Sequence, residues 1–165
     1  NRIKAYQAVA TFISDYPNQG GVYLYGQFGV GKSFMMAAMA NELAEKGIST
    51  TLIHYPSFIS DNSGFDDLKA QANEVKKTEV LVLDDIGAES NNDWIRDNIL
   101  QVILQYRMQE NLPTFFTSNL TMLELEQRLA MTKKGDETWS AKRVMERVRK
   151  LSTEYALAGE NRRNG

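Results

Sequence analysis

Apolar residues recur at steps of three and four over residues 3–16, where Ile3, Tyr6, Val9, Ala10, Ile13 and Tyr16 share one face. That spacing predicts an amphipathic helix, ended by the Pro17 to Gly21 stretch. Val22-Tyr23-Leu24-Tyr25 is a short β-rich run, followed by a glycine loop from Gly26 to Ser33. Met35, Met36, Met39, Ala40 and Leu43 then give a second helix over 33–46, with Gly47 placed to cap its end. Thr50 to Tyr55 reads as a strand closed by Pro56, and 57–77 as a polar region with short helices near Phe58-Ile59 and Leu68 to Val75. Val80 to Leu83 is a continuous apolar strand. Ile95, Ile99, Val102, Ile103 and Tyr106 predict a helix over 93–109, and Thr114 to Thr117 a strand after Pro113. Thr121 with Glu124 is a capping box for a helix to about Leu129. A polar loop over 131–138, a helix over 141–150 and a last strand near 152–157 complete the pattern.

Strands alternate with helices, and the strands are apolar on both faces. That is the signature of a mostly parallel sheet covered by helices on each side, a three-layer α/β/α arrangement with five strands. No internal repeat, low-complexity stretch or linker divides the 165 residues, so one domain is expected. Asn1 rather than Met opens the chain, and a preceding segment is expected to be missing from it.

Composition narrows the chemistry. There is no cysteine, which removes disulfides, thiolate metal sites and cysteine nucleophiles. His54 is the single histidine, which removes His-pair zinc sites; at a strand end it reads as structural. No apolar run nears the roughly 18 residues of a membrane span, and no signal peptide opens the chain. A cytoplasmic location is expected. The net charge of -2 hides an asymmetry: residues 1–126 carry net -7 and residues 127–165 net +5. The basic end is either a nucleic-acid face or a counterweight to acid elsewhere.

Gly26-Gln27-Phe28-Gly29-Val30-Gly31-Lys32-Ser33 fits G-x-x-x-x-G-K-[ST] between a predicted strand and helix. Glycines let backbone N–H groups turn around phosphates at a helix N-terminus. Lys32 supplies a point charge, and the Ser33 hydroxyl is a hard oxygen ligand for Mg²⁺. Phe34 opens the helix beside them. Val80-Leu81-Val82-Leu83-Asp84-Asp85 delivers two carboxylates to the edge of a buried sheet. Asp84 is placed to hold Mg²⁺ and Asp85 to orient and deprotonate a water. Asn119, at the tip of the Thr114 strand, either positions that water or caps a turn. Arg143 and Arg147 lie four apart on one helix face, either projecting from a subunit edge or pairing with acids nearby.

Together these segments resemble the AAA+ ATPases. Tyr23 to Gly26, Leu83 to Glu89, Pro113 to Asn119, Arg143 to Arg147 and Gly159 to Arg163 are similar, more narrowly, to the bacterial replicative helicase loaders of the primosome. The transposition helper ATPases are relatives. The resemblance spans about Tyr6 to Arg163. It implies ATP and Mg²⁺ as cofactors and ATP hydrolysis, with Asn119 as a sensor and Arg147 as an arginine finger acting on a neighbour's ATP. Arg163 would sense the γ-phosphate, or Arg162 if the register shifts by one. It further implies self-association, binding of single-stranded DNA and a ring-shaped replicative helicase as partner; a transposition helper would instead favour duplex DNA and a transposase. Two departures stand out. Asp85 occupies the place where most AAA+ proteins carry Glu, and the chain ends too soon for a helical lid. For DNA, Lys133, Lys134, Lys142, Arg149 and Lys150, with Lys69, Lys76 and Lys77 of the polar insert, are candidates for phosphates. Phe58, Phe65 and Trp139 either stack on bases or, for the first two, pack in the core.

Overall fold

Five strands of five residues each build one sheet: β1 (Gly21–Tyr25), β2 (Thr50–His54), β3 (Val80–Asp84), β4 (Thr114–Ser118) and β5 (Ser152–Ala156). The computed structural model describes residues 2–18, 20–61 and 64–158. The spatial order is β2-β3-β4-β1-β5, and every neighbouring pair is parallel. All C-terminal strand ends therefore meet along one edge.

Alternation along the strands splits the core into two layers. Val22, Leu24, Val80, Val82 and Phe115 point to one face, against α1 (Arg2–Asp15) and α2 (Lys32–Glu45). Tyr23, Leu81, Leu83 and Phe116 point to the other. There they meet α3 (Tyr55–Ser60), α4 (Phe65–Val75), α5 (residues 93–109), α6 (Met122–Ala130) and α7 (Thr138–Leu151). Because both faces are covered, β1, β3 and β4 carry no exposed polar row, and they read as apolar runs for that reason.

The elements follow the predicted order, and α4 starts at Phe65, three residues before the predicted Leu68. Strand β2 stops at His54, and Pro56 sits in the first turn of α3 instead of ending a strand; a proline ring fits a helix start, where no N–H is needed. Helix α5 contains a π-helical stretch, Arg96–Leu100, between Asp93–Ile95 and Gln101–Gln109. Within that stretch the buried Arg96 guanidinium donates to the Asp97 and Glu137 carboxylates and to the Leu129 carbonyl. The 131–138 segment holds a two-stranded hairpin, Met131–Thr132 with Gly135–Asp136. Helix α7 starts at Thr138, three residues early, because Thr138 to Ser140 carry no apolar periodicity to read. The capping box is present: the Thr121 hydroxyl accepts from Glu124 N, and the Glu124 carboxylate from Thr121 N.

Candidate nucleotide site

The loop between β1 and α2 is shaped by two glycines with distinct reasons. A Cβ on Gly26 would lie 2.4 Å from the Leu157 carbonyl oxygen, so the end of β5 can close on the loop only over glycine. Gly31 has φ +96 and caps α2, a left-handed geometry that side chains rarely adopt. The turn points the first amides of α2 toward a cavity of about 320 Å³ lined by Phe28, Gly29, Gly31, Lys32, Ser33 and Phe34 of the loop. Asp85, Thr117 and Asn119 close it from the sheet edge, Arg2 and Tyr6 from α1. The expected phosphate-loop residues divide here: Gly26, Gln27 and Val30 line a neighbouring hollow with Ala156, Leu157 and Ala158. Val30 is a core residue, and Arg2 donates to its carbonyl at 3.0 Å.

Lys32 is buried, and its ammonium donates to the Gly26 carbonyl at 2.8 Å, the Gln27 carbonyl at 2.9 Å and Asn119 Oδ1 at 3.1 Å. Asn119 is thus a partner of the lysine, beyond any turn-capping role. Burial lowers the lysine's pKa, and the nearby Asp85 and Asp84 carboxylates oppose that shift. Ser33 Oγ donates to Asp84 Oδ1 at 2.9 Å. A hydroxyl and a carboxylate at that spacing are two hard oxygen donors, a set that suits Mg²⁺ completed by phosphate oxygens and water. Among the described residues no cluster of three or more His, Cys, Asp or Glu side chains could hold a metal.

Asp85 adopts φ 61, a left-handed conformation unusual for a non-glycine residue. Its N–H donates to Thr117 Oγ1 at 2.8 Å, and Thr117 Oγ1 donates to Asp84 Oδ1 at 2.5 Å. The β4 hydroxyl therefore ties both acids to the sheet edge. Thr117 was not singled out in the sequence, although a threonine facing a carboxylate strand within an otherwise apolar run was a usable signal. His54, expected to be structural at its strand end, has its Nε2 3.4 Å from Asp85 Oδ2 and its Nδ1 2.7 Å from Ser57 Oγ. The β2–β3 register, which pairs His54 with Asp84, brings it there. Arg2 and Tyr6 gave no signal, because their place follows from how α1 packs.

Arg147 does not line the cavity that holds Lys32. Its Nε donates to Gln105 Oε1 on α5, and one terminal nitrogen to the Arg143 carbonyl at 2.7 Å. Arg162 and Arg163 lie outside the described residues. Several basic candidates for DNA are engaged within the chain: Lys134 pairs with Asp93, Arg149 with Glu126, and Lys76 sits over the Tyr106 ring. Lys69, Lys77, Lys133, Lys142 and Lys150 are exposed. Phe58 packs against the core. Phe65 is exposed but lies 4.3 Å from the Trp94 ring, and Trp139 is 75% exposed. No helix among the described residues is long and apolar enough to cross a membrane.

Comparison with known proteins extends this geometry. The family model for IstB-like ATP binding protein matches residues 2–163. The chain is 46% identical over 171 residues to the replicative helicase loader DnaI of Bacillus subtilis strain 168, covering 99% of this chain and 55% of that protein. It spans about half the length of the curated relatives it matches. Among solved structures, one of DnaI superposes with a TM-score of 0.86 at 39% identity, covering 97% of this chain and 83% of that one. The DnaC helicase loader gives 0.73 at 21% identity, covering 94% and 89%; at that identity the likeness concerns the AAA+ fold alone.

Proposed function

We propose, from the premise that this chain belongs to the family of IstB-like ATP-binding proteins, that it is the ATPase unit of a replicative helicase loader. In this reading it works as one domain that hydrolyses ATP, and its affinity for single-stranded DNA depends on the nucleotide held. The observation that carries the ATP chemistry is the convergence of Lys32, Ser33, Asp84, Asp85 and Asn119 on one cavity edge. The likeness to DnaI directs that chemistry toward helicase loading in replication initiation.

Phosphates enter the turn of amides from Gly29 to Ser33, and Lys32 exchanges its two loop carbonyls for phosphate oxygens. Ser33 and Asp84 would hold Mg²⁺, which would neutralise charge on the phosphates. Asp85 accepts the proton of the attacking water; its side chain is one methylene shorter than Glu, so the water sits close to the sheet edge. Asn119, already bonded to Lys32, orients the γ-phosphate. Arg147 completes the site of a neighbouring copy, so hydrolysis is slow in the isolated chain and rises on assembly. Arg163 is assigned the γ-phosphate contact from the C-terminal end. The DNA strand lies along Lys133, Lys142 and Lys150, with Trp139 as a stacking surface. The helicase ring is contacted mainly by sequence outside this chain.

The test is anisotropy of a labelled single-stranded oligonucleotide against protein concentration, with ATP·Mg²⁺, with ADP and with Lys32→Ala, at two salt concentrations. Binding that needs ATP, weakens with salt and is lost in Lys32→Ala supports the reading. Duplex bound in preference to single strands would instead assign the chain to transposition helpers.

A further inference from the structure

Arg107 and Arg147 are both arginines with guanidinium groups held by other elements, but only Arg107 has every N–H direction spent. Its Nε and both terminal nitrogens make five hydrogen bonds. Arg147 makes two. Its Nε donates to Gln105 Oε1, and one terminal nitrogen to the Arg143 carbonyl. Its other terminal nitrogen has no hydrogen-bond partner among the described residues. Nε and one terminal nitrogen are engaged, and Arg147 is partly exposed.

We propose that Gln105 is a positioning residue for Arg147: its side-chain oxygen fixes the guanidinium so that the unpaired nitrogen is presented to the nucleotide of a neighbouring copy. This rests on the reading of Arg147 as a finger acting between copies. Gln105 suits the task chemically. Only its amide oxygen can accept from a guanidinium N–H, so the contact itself orients the amide. Being neutral, it holds the arginine without an ion pair that would compete with a phosphate. It also stands on α5, which packs against α7, so the contact ties Arg147 to a second helix. Arginine carries large rotamer freedom when untied, and a small misplacement of a catalytic group costs up to about a hundredfold in rate.

The experiment separates donor from reporter. The reporter is Arg147→Ala, whose own nucleotide site is intact but which offers no arginine to a neighbour. The donor in excess is Asp85→Asn, which binds ATP, hydrolyses little and keeps Arg147. Phosphate release by the reporter is followed as donor is added, with kcat and KM for ATP determined separately. Asp85→Asn donors are expected to restore hydrolysis, and Asp85→Asn/Arg147→Ala donors to restore none. Asp85→Asn/Gln105→Met donors, with an isosteric side chain that cannot accept, should restore about ten- to a hundredfold less kcat with KM unchanged. Asp85→Asn/Gln105→Glu donors keep an acceptor for Nε and should recover part of that loss, which a packing defect would not. Full restoration by the Gln105→Met donor overturns the positioning role while leaving the finger intact. Equal loss with Met and Glu, accompanied by a lowered melting temperature, assigns the effect to packing and also overturns it. Restoration by donors lacking Arg147 removes the finger reading itself.

Discussion

Lys32 and Arg107 are both buried cations without an ion-paired carboxylate among the described residues, at opposite ends of the same sheet, and they teach different things about burial. Arg107 is fully buried and donates to Thr114 Oγ1 and to the carbonyls of Lys76, Thr78, Glu79 and Pro113. It gathers the chain entering β3 and β4 into one knot. Burial lowers its pKa to about 10, which leaves it charged at neutral pH. Lys32 is 8% exposed and donates to three oxygens, but those oxygens border an open cavity. Its stem is flexible, and its acceptors can be exchanged for a phosphate. The depth of burial is similar; what separates a structural knot from a site is whether the acceptors can be replaced from solvent.

The largest effect expected from breaking this contrast is Arg107→Met. Each buried carbonyl left without a donor costs about 1–3 kcal/mol, so the total is on the order of 5 kcal/mol, comparable to the stability of a typical domain. Urea denaturation should show a chain unfolded or nearly so; a loss under about 1 kcal/mol would place Arg107 with the replaceable cations. Next comes Asp85→Asn, which should lower phosphate release by about 10²–10⁴ while ATP still binds. Hydrolysis at the wild-type rate would remove Asp85 from the chemistry. Third, ATP·Mg²⁺ at a hundred times its Kd should raise folding stability by about 2.7 kcal/mol, and an unmoved denaturation midpoint would contradict nucleotide binding at this site. The smallest is Thr117→Val. It removes one hydroxyl bonded to Asp84 and to the Asp85 amide, worth about 1 kcal/mol. Hydrolysis should fall severalfold with little change in melting temperature; the reverse pattern would make Thr117 structural.

The sheet, its helices and the phosphate loop were legible because each rests on local pattern: apolar runs of five, helical periodicity, and glycines at fixed offsets. The two-acid strand was legible for the same reason. What escaped was set by register and packing. His54 reaches Asp85 only because β2 lies beside β3, and Thr117 reaches both acids only because β4 lies on the other side. Arg2 and Tyr6 reach the cavity through the docking of α1, which no local signal announces. The internal pairing of Lys134 and Arg149 is likewise tertiary: their charge was visible in the sequence, their partners were not. The partners of Arg96, in the π-helical stretch of α5, are tertiary as well: Leu129 and Glu137 are outside the reach of periodicity.

The most direct test of the central claim is a calorimetric titration of ATP·Mg²⁺ into the wild type and Lys32→Ala, with urea midpoints measured without nucleotide. A buried cation whose acceptors are replaceable should be needed for the ligand and dispensable for the fold. The account predicts an affinity loss of about ten- to a hundredfold or more, as expected for charged hydrogen bonds to phosphate, with the midpoint unchanged or raised. Undiminished ATP affinity in Lys32→Ala, or a midpoint that collapses as for Arg107→Met, would contradict it.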